Sequence, residues 1–196
     1  MSQLNVDVIK HSGGTGPGLE FLSGGNFAFD TDTLYVDTVN GRLGINTASP
    51  SASIDVRGDD GAYFDCHPMI EGANIVSGSS NGNTTMYIAT ASTYLFTSSN
   101  TGNWTPNIRG SSSGASVDSL MDVGDCLAFT LISQLGGSSG YASSLQIDSS
   151  TRTVEWADGE TPQERGGTGG YDVYSYSIIK TGSNSFVVLG NKTYFN

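Results

Sequence analysis

The sequence predicts an all-β protein, and three observations lead to that prediction. Glycine supplies 27 of the 196 residues, and serine, threonine and asparagine are abundant. These residue types disfavour helices, because they loosen the helical backbone or compete for its hydrogen bonds. Apolar and polar residues alternate with a period of two along most of the chain, as in a half-buried strand. Since the apolar runs are short and bounded by turn formers, we expect many short strands joined by tight turns.

The charge balance bears on the partners that the chain is expected to bind. Eight basic and nineteen acidic residues give a formal net charge of −11. This charge repels nucleic-acid phosphates and anionic lipid headgroups, so neither nucleic acid nor a membrane is an expected partner. Residues 1–10 lack the pattern of a secretory signal, and no apolar run approaches the roughly 20 residues that span a bilayer. The two cysteines, Cys66 and Cys126, are expected to be reduced and buried.

The amino-terminal elements begin with an alternation of apolar and polar residues over 4–8, which predicts a strand. The segment Leu34–Ile45 predicts a hairpin, whose arms meet at Asn40-Gly41 in a type I′ turn. Pro50 prevents a central strand from continuing, and Ile54–Val56 offers one more short strand.

Residues 1–57 have few large apolar side chains, which raises the question of how they fold. Ordering the backbone costs about 1–2 kcal/mol per residue, whereas burial contributes about 25 cal/mol per Å². We therefore expect residues 1–57 to form an attachment or oligomerisation region that borrows burial from neighbouring chains. Residues 58–82 are rich in Gly, Asp, Ser and Asn and predict a linker.

Residues 83–196 predict an antiparallel β-sandwich of about seven strands, with a jelly-roll-like arrangement. The last two strands are joined by the four-residue loop 181–184, which suits a second hairpin. The stretch Ser116–Val123 favours a helical turn or two. The expected strands are Met86–Ala89, Tyr94–Thr97, Cys126–Ile132, Ser144–Ile147, Thr153–Trp156, Tyr171–Lys180 and Ser185–Leu189.

Candidate catalytic groups are scarce. The chain has two histidines, His11 and His67, and the neighbours Cys66 and His67 would point to opposite faces of a strand. The acidic residues 158, 160 and 164 cluster near Trp156, as in a glycosidase, but exposed turns explain them as well. We therefore expect no enzymatic activity, no catalytic residue and no cofactor. Two acidic groups, one at Asp30, Asp32 and Asp37 and the other at Asp59, Asp60 and Asp65, suit either a structural calcium ion or solvated turns.

Aromatic side chains are the main candidates for contacts with a partner or a glycan. Tyr174 and Tyr176 alternate and so share one face of a strand, where they either pack in the core or between subunits, or contact a ligand. The glycine-rich segment Gly166–Gly170 lacks the Lys-Ser/Thr ending of a phosphate loop and is interpreted as a flexible connection. The candidate contact residues are Trp104, Tyr141, Trp156, Tyr174 and Tyr176.

Two stretches resemble known proteins. The segment Thr33–Asp37, followed by Asn40–Pro50 and Ile54–Val56, resembles a signature of tail-fibre and other appendage proteins of tailed bacteriophages. Asn46 stands where that signature usually has glycine, and asparagine tolerates the same left-handed backbone. The opening residues 4–9 also look like the start of virion proteins of tailed phages, especially marine ones.

The second resemblance covers roughly residues 80–196 and is carried mainly by their carboxyl-terminal part. The loop Trp156–Pro162, the run Asp172–Gly182, the strand Phe186–Gly190 and Phe195 are similar to a β-rich module near the ends of phage structural proteins. Trp104, Asn107–Gly110 and Val123–Asp125 add to it. The resemblance implies a role in an assembly and no reaction.

Together these observations predict a non-enzymatic virion protein, part of a tail fibre, tail spike or similar appendage. The resemblance implies assembly as a homotrimer, with other virion proteins and a host surface protein or glycan as further partners. One alternative is a knob-like decoration or cement protein on the capsid or neck. Another is a carbohydrate-binding module for receptor recognition.

Overall fold

A computed structural model of the chain describes residues 8–9, 19–21, 25–29, 33–58 and 70–196. The chain divides into two compact units, Met1–Met69 and Ile70–Asn196. Almost all of the regular structure is strand, so the predicted all-β class is confirmed. The boundary lies inside the segment 58–82 that was predicted as a linker. Residues 73–76 of that segment form a paired strand of the second unit.

The described part of the first unit is one six-stranded sheet. Its strands pair in chain order, antiparallel except for the last pair, which is parallel. The second and third strands were not predicted. The strands are β1 (Val8–Ile9), β2 (Leu19–Phe21), β3 (Phe27–Phe29), β4 (Leu34–Asp37), β5 (Arg42–Ile45) and β6 (Ile54–Val56).

The predicted hairpin exists as β4 and β5, but its turn differs from the prediction. Asp37 pairs with Arg42, which leaves the four-residue loop 38–41. A type I′ turn needs positive φ at both central residues, whereas of Asn40 and Gly41 only Gly41 has one, at +65°. The Asp37 carboxylate accepts hydrogen bonds from the side chain and backbone nitrogens of Asn40, at 2.7 and 3.0 Å. These bonds hold the pKa of Asp37 below its ordinary value and stabilise the longer loop.

Several residues of the phage-like signature have identifiable roles in this hairpin. A Cβ on Gly44 would collide with the backbone oxygen of Thr47, so the chain needs glycine there. Asn46 has a φ of +56°, the left-handed conformation expected of the residue that replaces glycine. The Arg42 guanidinium donates a hydrogen bond of 2.8 Å to the backbone oxygen of Pro50.

The first unit buries little apolar surface in its described residues. The aliphatic and aromatic side chains of Phe29, Ile45 and Ile54 are 51%, 36% and 58% exposed. Among the described residues of this unit, Ala28 is the buried hydrophobic one, and it is not part of the hydrophobic core cluster. The residues of 25–58 that are described as buried are small or polar: Ala28, Asp37, Gly44 and Pro50.

The second unit contains two sheets, one short α-helix and a single 3₁₀ turn at Ala157–Gly159. The first sheet has six strands in the order β14-β16-β15-β11-β9-β7, and the second has four in the order β13-β12-β10-β8. The elements are β7 (Ala73–Val76), β8 (Gly82–Tyr87), β9 (Thr93–Phe96), β10 (Trp104–Arg109), α1 (Val117–Leu120), β11 (Cys126–Gln134), β12 (Leu145–Ile147), β13 (Ser150–Arg152), β14 (Glu155–Trp156), β15 (Tyr171–Gly182) and β16 (Ser185–Phe195).

The path of the chain departs from the expected antiparallel sandwich. From β7 to β12 successive strands alternate between the two sheets, and neighbours within each sheet are parallel. These six strands therefore form three coils of a flattened parallel β-solenoid. The predicted hairpin of β15 and β16 then extends the six-stranded sheet with antiparallel pairs. Both sheets are therefore mixed or largely parallel. The sequence did not predict this direction, because alternation marks a half-buried strand without indicating the direction of its neighbour.

Two further strand predictions need correction. The expected strand Thr153–Trp156 is replaced by β13 and β14, which belong to different sheets. β10 was not expected, and it contains Pro106, which is unusual inside a sheet. Pro106 pairs with Thr84 of β8, whereas the pairing of β10 with β12 begins only at Asn107, which pairs with Gln146.

The core lies between the two sheets of the second unit. Trp104 of β10 contacts Phe96 of β9 and Tyr174 of β15, with ring centroids 5.9 and 5.8 Å apart in edge-to-face geometry. These contacts connect the four-stranded sheet to the six-stranded sheet. Ile108 and Leu131, from opposite sheets, are fully buried in the same core.

The short helix α1 confirms the helical turn expected in this part of the chain, and a buried lysine holds it. Ser116 caps its amino end. Lys180 of β15 is 9% exposed, and its Nζ donates to the backbone oxygens of Asp118 and Met121 at 2.6 and 2.8 Å. The same Nζ lies 3.1 Å from the Asp118 carboxylate, so one cation ties the helix to the sheet.

Candidate functional site

Three of the five predicted contact residues belong to the core. Trp104, Tyr174 and Tyr176 are 3%, 0% and 2% exposed, so they are not available to a partner or a glycan. Tyr174 and Tyr176 do share one face of β15, as predicted, and it is the inner face. The Tyr174 hydroxyl accepts a hydrogen bond of 3.0 Å from the backbone nitrogen of Ala142. Burial raises the pKa of both tyrosines well above the ordinary value.

The other two predicted contact residues are partly exposed, and the structure separates their roles. Tyr141 is half-buried, and its backbone oxygen accepts a hydrogen bond of 3.1 Å from the backbone nitrogen of Trp104. Tyr141 is not among the residues that line the two cavities described below, whereas Trp156 lines both. Trp156 is therefore the predicted contact residue that lies at a candidate site.

Trp156 is positioned by a glycine in the neighbouring strand. It pairs with Gly190 of β16, and a Cβ on Gly190 would lie 3.0 Å from the indole ring and 2.6 Å from Val154. The indole also meets Tyr176 edge-to-face at 6.0 Å. The absence of a side chain at Gly190 thus lets Trp156 pack against the sheet next to the core.

The side of the six-stranded sheet that points away from the core, here called the outer face, is almost free of charge. Strand alternation and register assign to it the even-numbered residues of β11 and the odd-numbered residues of the other five strands. Glu155, at the edge, is the charged residue among them. Ile75, Val187, Leu189 and Phe195 are 67%, 42%, 46% and 55% exposed there. No sequence prediction anticipated this surface.

A groove of about 550 Å³ crosses the outer face. Its rims are two outward rows, one containing Ala128, Ser177 and Leu189, and the other containing Thr130 and Ser175. The row between them points into the core, so its backbone forms the floor of the groove. Most of these rim side chains are small, so the face is lower here than at the neighbouring row of Ile132 and Val173.

A second cavity, of about 430 Å³, lies beside Trp156 and is lined by the loop that follows β14. Asp158, Glu160 and Glu164 all line it, so the structure brings together the acidic residues that the sequence placed near Trp156. Asp158 has a φ of +58° and is the middle residue of the 3₁₀ turn Ala157–Gly159. Lys192 also lines this cavity, and its Nζ donates a hydrogen bond of 2.7 Å to the backbone oxygen of Glu164.

The glycine-rich segment before β15 packs tightly, which corrects its interpretation as a flexible connection. A Cβ on Gly166 would collide with Tyr194, and one on Gly170 would collide with the backbone of Phe195. The Gly166 backbone nitrogen donates to both carboxylate oxygens of Asp172, at 3.0 and 3.2 Å. Burial raises the pKa of Asp172, and nearby Lys192 opposes that shift.

The outer face of the four-stranded sheet has a different chemistry. Amide and hydroxyl side chains cover it and bond to one another across the strands. Asn83 donates to Gln146 at 2.8 Å, and Asn107 donates to Thr85 at 3.5 Å. The Asn107 side-chain oxygen accepts a bond of 3.0 Å from the backbone nitrogen of Ser149. The polar side chains of this face thus use much of their hydrogen-bonding capacity on one another and on nearby backbone.

The remaining predicted groups are partly outside the described residues. This applies to both histidines, to Cys66, to Asp30 and Asp32, and to the acidic group 59–65. Within the described residues, no three His, Cys, Asp or Glu side chains lie close enough to hold a metal ion. Cys126 is a free thiol, but it is exposed on the outer face rather than buried as expected.

None of the helices in the described part of the chain is both long and apolar enough to cross a membrane. Comparisons with protein families, curated proteins and solved structures find no match for this chain.

Proposed function

We propose that this chain is a non-enzymatic structural protein of a bacteriophage virion, part of a tail fibre, tail spike or similar appendage, and that its first unit joins it to copies of itself. One observation carries the proposal. The described first unit is a single sheet, and Phe29, Ile45 and Ile54 remain exposed on it.

A single sheet of short strands cannot bury a core between two layers. Association with other copies would give the described sheet a second layer, since a sheet must cover its apolar side chains to be stable. The resemblance of Thr33–Val56 to phage appendage proteins supports this proposal, because Gly44 and Asn46 have backbone roles that explain their place in the signature. A homotrimer is the proposed assembly, with other virion proteins as further partners.

The second unit has its own core and is the part that the assembly would present. The alternative is a decoration or cement protein on the capsid or neck, which would also combine an associating first unit with a second unit that has its own core. Labelling the protein on intact particles separates the two roles, since label confined to the head shell contradicts a tail appendage.

One observation favours a carbohydrate-binding role for the second unit. The cavity beside Trp156 combines an aromatic ring with carboxylate and amide side chains, which is the chemistry that binds sugars. Titrating host surface glycans against the protein and its Trp156→Ala variant tests this role. Equal binding by both, or no binding at millimolar glycan, contradicts it.

Sedimentation of the full chain tests the proposed assembly. Wild type is expected to sediment as a trimer or a multiple of it at micromolar concentration. The variant Ile54→Glu places a charge on the exposed sheet and is expected to dissociate this assembly. Val39→Glu makes the same change at a 70% exposed loop residue and should leave the mass unchanged. A wild-type monomer with a cooperatively folded first unit would contradict the proposal.

A further inference from the structure

We infer that the outer face of the six-stranded sheet binds the same face of a second copy of this chain, related by a two-fold axis. This contact involves the second unit and does not depend on the proposed function, which assigns self-association to the first unit. Charge and shape support it independently.

The charge distribution favours a second copy as the occupant. Two chains that each carry a formal charge of −11 repel one another, so a self-contact needs a surface without charge. The outer face provides such a surface, with Glu155 at its edge as the charged residue. A basic partner would instead be attracted to acidic surface, such as the loop that carries Asp158, Glu160 and Glu164.

The shape of the face is self-complementary. A row of aliphatic side chains forms a ridge across four strands: Ile75, Leu95, Ile132 and Val173. The groove described above runs parallel to this ridge, about 10 Å further along the strands at roughly 3.3 Å per residue. Both the ridge and the groove cross β11 and β15. A surface that carries both features can pair with itself, because each copy offers a ridge to the groove of the other.

This pairing fixes where the two-fold axis lies. For the ridge of each copy to meet the groove of the other, the axis must run across the strands, midway between ridge and groove. The outward row that contains Thr130 and Ser175 lies at this level. Ser175 of one copy would therefore face the same residue of the second copy, while Ile132 and Val173 would enter the groove over β11 and β15.

The area that this pairing covers is that of a small, reversible interface. At about 3.3 Å per residue and 4.8 Å between strands, the six strands present roughly 650 Å². The axis placed above superimposes about two thirds of this area, mainly on β11, β15 and β16, so two copies would bury about 900 Å² together, at the low end for specific protein interfaces.

A charge at the axis tests the inference in the full chain. The variant Ser175→Glu changes an exposed residue and would bring two like charges together in the pair. Sedimentation at micromolar concentration should show that its mass falls about two-fold from that of wild type. The matched control is Thr151→Glu, an exposed strand residue on the other sheet, which should keep the wild-type mass.

A charge-reversal experiment tests the position of the axis. Ser175→Lys alone should also lower the mass about two-fold, but an equal mixture of Ser175→Lys and Ser175→Glu should regain it, because opposite charges then meet. Thermal melting of each variant verifies that the fold is intact. If Ser175→Glu disturbs the fold, Leu189→Lys at the rim of the groove replaces it, with the same expected loss of mass.

Three results would overturn the inference: a folded Ser175→Glu protein with the wild-type mass, an equal loss of mass in Thr151→Glu, or no recovery in the mixture. The same measurements in an Ile54→Glu background separate this inference from the proposed function. If Ile54→Glu has no effect and Ser175→Glu halves the mass, only the role of the first unit fails. If the reverse holds, only the two-fold contact fails.

Discussion

The two units of this chain solve the problem of burial in different ways. The second unit places two sheets around a core in which Trp104, Tyr174 and Leu131 are almost completely buried. The first unit, in its described residues, has one sheet and leaves Phe29 and Ile54 more than half exposed. A chain of alternating short strands becomes independently stable only when a second layer covers its apolar side, and among the described residues only those of the second unit form such a layer.

The largest effect is expected from truncating the aromatic side chain that connects the two sheets. Trp104→Ala should lower the free energy of unfolding of the second unit by about 3–5 kcal/mol, because it leaves a large cavity in the core. Denaturant titration measures this loss. The contrasting variant Phe29→Ala should change the stability of the first unit by less than about 0.5 kcal/mol in dilute solution. An equal loss in both variants would remove the proposed difference between the units.

A buried cation provides the next test. Lys180→Met should destabilise the second unit by about 2–4 kcal/mol, because the backbone oxygens of Asp118 and Met121 and the Asp118 carboxylate lose their partner. Hydrogen exchange should show the greatest loss of protection at α1. Lys192→Met, at a more exposed cation, should cost less. A larger loss in Lys192→Met would contradict the role assigned to Lys180.

Close packing at a glycine predicts an intermediate effect. Gly190→Ala should cost about 1–3 kcal/mol and displace the indole of Trp156, because the new methyl group overlaps Val154 and the ring. Denaturant titration gives the loss, and tryptophan fluorescence reports the displacement. Gly137→Ala is the control, since open space surrounds that position. Unchanged fluorescence in Gly190→Ala would show that Gly190 does not position Trp156.

The smallest effect is expected in the response to acid, where one carboxylate of each unit changes the stability with pH in the opposite direction. Hydrogen bonds from the Arg57 side chain lower the pKa of Asp55 in the first unit to about 2. Its contribution is therefore present above about pH 4 and is lost as the pH falls towards 2. Burial instead raises the pKa of Asp172 in the second unit, so its contribution to stability decreases as the pH rises through that raised value.

Unfolding measured between pH 2 and pH 5 tests this difference. Asp55→Asn should reduce the acid sensitivity of the first unit by less than about 1 kcal/mol, because Arg57 is largely exposed. Asp122→Asn, an exposed carboxylate of the second unit, is the charge-matched control. An unchanged acid response in Asp55→Asn would remove the role given to its ion pair.

Part of the site was predictable and part was not. Alternation correctly placed Tyr174 and Tyr176 on one face, but it left open whether that face was inner or outer. The acidic residues near Trp156 were visible in the sequence because they are close along the chain. The groove on the outer face was not, since its rims come from strands more than forty residues apart, such as those of Ala128 and Leu189.

The amino-acid sequence by itself determined the all-β class, the hairpins at β4-β5 and β15-β16, and the single helical turn. These features depend on contacts between residues that are near one another in the chain, so local propensity and alternation are sufficient to predict them. Only the tertiary structure decided that β7 to β12 alternate between two sheets, that β10 accommodates Pro106, and which face each alternating strand buries. Those outcomes depend on which distant strands become neighbours, and a strand's own residues carry the same pattern whichever partner it finds.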